Sequence, residues 1–155
     1  MNPLTLCGLL IVFLLTLANS ASQGMEPVRV TVVVVYASAE KSDTDPRLAD
    51  LAREIQKREP EYTHFKLVQT LQKSIPVGGT HIYALADKQT LKVTVERARD
   101  KHDRICLSIE PPGLGGITYT CVCNKFLPVI TPYLTNSGQR MILAIMAKPC
   151  TGHGP

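Results

Sequence analysis

The sequence predicts an α+β domain, mainly an antiparallel β-sandwich or open barrel of about eight strands, with one amphipathic helix after the first strand. Three observations carry this reading. A run of valines opens the domain, a single helix-period segment follows it, and beyond Pro60 the hydrophobic period stays near 2 almost to the end. The alternative is an all-β sandwich with the helix lying on its surface.

The opening strand spans Val28 to Tyr36 and includes Val30, Val32, Val33, Val34 and Val35. Consecutive β-branched residues with no polar face suit a central strand buried on both sides. Ser42 to Asp45 break the run; Asp45 is a natural N-cap, and Pro46 fits the first helical position. Leu48, Leu51, Ala52 and Ile55 then fall on one helical stripe, with Arg53, Glu54, Lys57 and Arg58 opposite. Glu54 and Arg58 have the spacing of an i, i+4 ion pair, and Pro60 stops the helix. Because this helix joins the first strand to the second, those two are open to parallel pairing, whereas the later strands should form hairpins.

Phe65, Leu67, Leu71 and Ile75 alternate with polar residues and lead into a Pro76-Val77-Gly78-Gly79 turn. Ile82, Tyr83 and Leu85 mark a short strand before Asp87 and Lys88. Leu91, Val93 and Val95 form another, and Ile105, Leu107 and Ile109 the next, each showing one face to water. The Pro111 to Gly116 loop precedes a strand from Ile117 to Cys123. Pro128 and Pro132 bound a strand candidate from Phe126 to Thr131 and confine it to a sheet edge or make it irregular. After the Asn136-Ser137-Gly138 turn, Met141 to Ala147 is apolar at every position and reads as a second strand buried on both faces.

Residues 1–22 read as a secretory signal peptide. Leu4 to Ala18 is an apolar stretch of about 15 residues, short of the roughly 20 that span a bilayer, and small residues follow it. It departs from the usual pattern in lacking an N-terminal Lys or Arg, which leaves a retained anchor as the alternative; otherwise no transmembrane segment remains after cleavage. Cys7 lies before the apolar core and leaves with it. Residues 23–155 then form one domain ending in a short tail, 151–155, and the expected location is secreted or periplasmic.

The chain carries 17 Lys plus Arg against 13 Asp plus Glu, a net charge of +4, too small to imply a nucleic-acid partner. No Asp or Glu follows Glu110, so Lys125, Arg140 and Lys148 leave the last third mildly basic; their spread, without interleaved aromatics, reads as a solvated face, with a binding surface for acidic polymer or lipid as the alternative.

Export places Cys106, Cys121, Cys123 and Cys150 in an oxidising setting, so all four are disulfide candidates. Cys121 and Cys123 are a poor pair for each other, because two strand residues span about 6.7 Å. If Glu110 faces Ile117, Cys106 falls opposite Cys121. A one-residue slip instead sets Ile105, Leu107 and Ile109 against Cys121, Tyr119 and Ile117 and makes the more apolar face. The slipped register points Cys121 and Cys123 inward and Cys106 outward, and makes Cys123 with Cys150 the plausible bridge; buried or free thiols are the alternative to disulfides. Cys121 and Cys123 are also weak metal candidates, for Cu(I) or Zn(II), with His64, His81, His102, His153 or Met146 as conceivable co-ligands. None of these histidines has ligand spacing to another, and each reads as an ordinary strand, turn or tail residue.

The sequence contains no Gly-x-Ser-x-Gly elbow, phosphate-binding Gly-x-x-x-x-Gly-Lys run or His-Glu-x-x-His helix. At Asp45-Pro46-Arg47-Leu48 and again at Met141 to Ile145 the chain resembles a loose group of exported bacterial proteins, ordered as Val-rich strand, Asp-Pro helix, β-hairpins and closing apolar strand. That resemblance implies fold and export and assigns no activity. The function expected is an exported, non-enzymatic binding or structural module without a cofactor, its partner an envelope or extracellular protein or polymer. The alternative is a thiol-based metal or redox protein using Cys121 and Cys123.

Overall fold

The computed structural model describes residues 25–150; the expected signal segment with Cys7, and the tail with His153, lie outside them. The described residues form a β-sandwich of two four-stranded antiparallel sheets with one short helix, the α+β arrangement expected. Sheet I runs β2 (His64–Ile75), β1 (Val28–Ser38), β8 (Arg140–Pro149), β7 (Leu127–Leu134). Sheet II is a meander of β3 (Thr80–Ala84), β4 (Thr90–Arg97), β5 (Arg104–Glu110) and β6 (Ile117–Val122).

The two all-apolar segments are neighbours. β1 and β8 pair from Val28 opposite Pro149 to Ala37 opposite Arg140, and both strands lie inside sheet I. Their inner faces, Val28, Val30, Val32 and Val34 with Met141, Leu143, Ile145 and Ala147, pack against Leu91, Val93, Val95, Ile105, Leu107 and Ile109 of sheet II. Their outer faces contribute Val35, Ala37 and Ile142 to a second cluster with Leu48, Ala52, Ile55 and Phe65. A strand between two apolar layers has no face to give to water, which is why its valines run consecutively. β7 lies at the sheet edge, as its prolines require.

The helical segment begins where Asp45 predicts. The Asp45 carboxylate accepts from the Arg47 backbone N–H at 3.0 Å, a 3-10 turn covers Pro46–Leu48, and α1 spans Ala49–Gln56. Glu54 pairs with Lys57, one turn on at i+3, instead of the expected Arg58.

Two expectations about β2 are corrected. It pairs antiparallel with β1, from Ser38 opposite His64 to Val28 opposite Ile75. A parallel partner needs the connection to carry the chain back along the whole strand, whereas α1 is short and the backbone closes at the same end, Thr63 N–H donating to the Ser38 carbonyl at 2.9 Å. Nor does β2 keep one face to water. The register skips Val68, so Phe65 and Leu67 pack under α1 while Leu71 and Ile75 turn to the inter-sheet core.

Chain crossings between the sheets are tight. At the Pro76–Gly79 turn Gly78 has φ +81°, and a Cβ on Gly79 would come within 2.7 Å of the Pro76 ring. Polar links also tie the sheets: the buried Tyr83 hydroxyl donates to the Val30 carbonyl at 3.1 Å, and the Tyr36 hydroxyl to the Asp87 carboxylate at 2.7 Å.

Asp87 and Lys88 both adopt left-handed backbone, with φ of 56° and 58°, in the hairpin between β3 and β4. This is the geometry of a two-residue type I′ turn, whose second central position normally holds glycine. The anchored Asp87 carboxylate holds the turn against the strain at Lys88. Replacing Lys88 with Gly is expected to raise stability by up to about 1 kcal/mol in urea unfolding, since it removes a β-carbon from a left-handed site.

Candidate functional site

The structure does not gather the sequence-predicted site residues. β5 and β6 pair with Ile105, Leu107 and Ile109 opposite Cys121, Tyr119 and Ile117, the slipped register. Cys121 and Cys123 accordingly lie in the inter-sheet core. The Cys121 thiol donates to the Ile105 carbonyl at 3.4 Å, and burial pushes its pKa up. Burial first and the Asp103 carboxylate second push Cys123 up to about 11. These surroundings disfavour the thiolate that soft-metal binding and thiol exchange require.

Cys106 lies on the opposite face of sheet II, in a depression of about 190 Å³ with Arg97, Asp100, Arg104 and Thr120. Cys150 lies at the end of β8, its thiol 3.3 Å from the Ser74 hydroxyl. The expected Cys123–Cys150 bridge is not formed, and all four cysteines are unpaired. The pleat explains this: Cys150 follows Lys148 onto the outer face of sheet I, whereas Cys123 points into the core from the turn after β6. His81 stacks edge-on against Tyr83, and the His102 backbone N–H donates to Asp100 within the turn before β5. Among the described residues no three His, Cys, Asp or Glu side chains are grouped as a metal ion requires. Under native conditions a maleimide is expected to modify Cys150 first, with Cys106, Cys121 and Cys123 reacting only on unfolding. Intact mass followed by peptide mapping checks this order, and a mass two protons short before treatment would contradict the unpaired state.

Three other polar groupings are self-contained. In the turn before β5, Asp100 accepts from the His102 and Arg104 backbone N–H groups and from the Arg104 guanidinium, whose hydrogen bond holds the carboxyl below its usual range. Ser38 and His64 face each other at the end of β1 and β2, and the Ser38 hydroxyl and His64 Nδ1 are sealed from solvent with no partner. A sealed hydroxyl cannot reach an external carbonyl, so the pair is not a nucleophile and base.

The third grouping is Glu59 with Glu61, beside a crevice lined by Tyr62, Leu114, Ile130 and Arg140. Protonated Glu59 can donate a hydrogen bond to the Glu61 carboxylate, which raises the Glu59 pKa. A group with a raised folded pKa stabilises below its unfolded value and loses that contribution as pH rises through the folded one. Glu59→Gln is therefore expected to match the wild-type melting temperature below pH 4.5, the ordinary glutamate value, and to exceed it increasingly above. Parallel thermal melts across that range read the difference directly.

The remaining candidate is the outer face of sheet I. Directly opposed residues share a face, so the register gives its side chains row by row. Under α1 lie Leu67, Val35, Ile142 and Ile130. The next row is Thr70, Val33, Ala144 and Pro128, then Gln72, Thr31 and Met146, and finally Ser74, Arg29 and Lys148. The Gln72 amide donates to the Thr31 hydroxyl at 2.9 Å, which fixes the third row. α1 packs over the first of these rows and reaches Val33 of the second, while Thr70, Gln72, Ser74 and Arg29 beyond it stay exposed.

A groove of about 330 Å³ opens at this boundary, lined by Val33, Leu48, Leu51, Leu67, Thr70 and Phe126, with Arg47 and Asp50 at its rim. Phe126 is 44% exposed although it is among the largest apolar side chains in the domain. Arg29 and Lys148 stand directly opposite each other, and among the described residues neither is in an ion pair. Arg47, by contrast, is held by Asp45.

Pattern assigned Leu48, Leu51 and Leu67 to the core and Lys148 to a solvated face, and did not bring them together with Arg29 and Phe126. The signal that could have found them is Arg29 and Lys148 as the cationic interruptions at the ends of two otherwise apolar strands. Lys148, read as part of a solvated face, is half-buried beside Arg29. No family model, curated protein or solved structure matches the chain.

Proposed function

We propose that the chain is an exported, non-enzymatic β-sandwich module that binds its ligand on the half of the outer face of sheet I left open by α1. The observation that carries this reading is the groove between the Arg47–Leu51 turn and Phe126, because it combines a rigid floor with exposed apolar walls. Its floor comes from β1 and β2, ordered on their other face by the inter-sheet core, so recognition needs little rearrangement. Leu48 is buried, whereas Leu51, Leu67 and above all Phe126 stay partly open to solvent after folding. Export is supported by the apolar stretch from Leu4 to Ala18 with small residues after it.

Isotope-labelled protein screened by NMR against a chemically diverse set of small molecules tests the reading. Amide shifts are expected to cluster at Val33, Leu51, Thr70 and Phe126. Turnover of esters, glycosides or peptides well above background, or shifts gathered around Cys106 and Arg97 instead, would overturn it.

A further inference from the structure

We infer that this face takes a small amphipathic anion, an alkyl or aryl carboxylate whose apolar part fills the groove and whose head lies against Arg29 and Lys148. The inference rests on the binding-module reading above and adds the class of ligand.

The argument begins with the charges. Like charges directly opposed across antiparallel strands destabilise the sheet, yet Arg29 and Lys148 occupy adjacent positions in one row. The rest of that row is Ser74, with Cys150 beside it, and the next is Gln72, Thr31 and Met146, so neither row holds a carboxylate to compensate. An anion placed between the two cations would relieve their repulsion and accept hydrogen bonds from both. The Ser74 hydroxyl, 3.3 Å from the Cys150 thiol, adds a further polar group to the same row.

Shape supplies the second half. Arg29 and Val33 are four residues apart on one face of β1, so the cationic row and the groove floor are separated by about 14 Å. That is the span of a molecule with a head and a tail, and the intervening row is low and mixed in polarity, with Thr31 buried beneath Gln72. A groove of about 330 Å³ is at the small end of ligand sites. A polyanion would meet only two cations here and leave Val33, Leu51 and Phe126 uncovered. A cationic amphiphile would place like charge on Arg29 and Lys148.

The test compares decanoate, butyrate and decyltrimethylammonium, each below its self-association threshold, on the full mature chain by calorimetry and NMR. Decanoate is expected to bind with shifts at Val33, Phe126, Arg29 and Lys148, and both other compounds at least tenfold more weakly. The double reversal R29E with K148E should weaken decanoate by about tenfold and improve decyltrimethylammonium. If the double variant does not fold, judged by circular dichroism, R29Q and K148Q singly should each weaken decanoate by about threefold.

Equal affinity for decanoate and decyltrimethylammonium would overturn the charge assignment, and equal affinity for butyrate would overturn the role of the groove. Binding to anionic phospholipid vesicles without any response to monomeric decanoate would overturn the inference in favour of a membrane surface. Groove shifts produced only by other compound classes would defeat the ligand class and leave the binding module standing. An absence of shifts there with every compound would defeat both.

Discussion

Every other element is arranged around the pairing of β1 with β8. It joins the start of the described domain to its end, from Val28 with Pro149 to Ala37 with Arg140. Because the contact is non-local, its chain-closure entropy must be met before it contributes, and only strands buried on both faces return enough apolar burial to meet it. β1 and β8 do so: the inner residues from Val28 to Val34 and Met141 to Ala147 are almost completely buried, and Val35, Ala37 and Ile142 are buried on the other side. Sheet II could be described as a local meander; sheet I could not form without both ends of the domain.

That constraint also determines where the surface is unfinished. The outer face of sheet I needs a cover, and the chain supplies one short helix between β1 and β2. α1 and its leading turn reach as far as the row of Leu67, Val35 and Ile142, with Leu48 and Leu51 at the limit. Beyond it the rows become more polar, through Thr70 and Ala144 to Thr31 and Gln72 and then to the cations. The face therefore has a polarity gradient with an apolar groove at one end. On sheet II, by contrast, the outer row of Thr80, Thr94, Ser108 and Thr118 satisfies itself in hydroxyl pairs at 2.7 and 3.3 Å.

Much of the fold was legible in the residues for identifiable reasons. Val30 to Val35 and Met141 to Ala147 lack a polar face, which admits only an interior strand. The β5–β6 register followed from matching Ile105, Leu107 and Ile109 to the more apolar partners, because a one-residue slip would exchange the faces of the whole strand. What escaped depended on information no local pattern contains. The alternation of Phe65, Leu67, Leu71 and Ile75 is unbroken in sequence, yet the bulge at Val68 sends its two halves to opposite faces of the sheet. The helix after β1 suggested a crossover, but its length decides the direction of β2, and eight residues of helix cannot span eleven of strand. The cysteine arrangement was legible only in part: the pleat gave the faces of Cys121, Cys123 and Cys106, whereas the outward face of Cys150 follows from the β1–β8 register, which the sequence does not specify.

The candidate face was missed for a related reason. Charged residues at strand ends are ordinarily a transition to solvent, and each of Arg29 and Lys148 taken alone fits that description. Their meaning arises only when the register sets one opposite the other, and the register is a property of the β1–β8 pairing as a whole. The same pairing explains how the domain sustains two opposed cations in its central strands. The neighbouring contacts, Val30 with Ala147 and Val32 with Ile145, are fully buried and hold the register without help from the last row. A surplus of apolar pairing at the centre thus leaves the strand ends free to carry charge that the fold itself does not need.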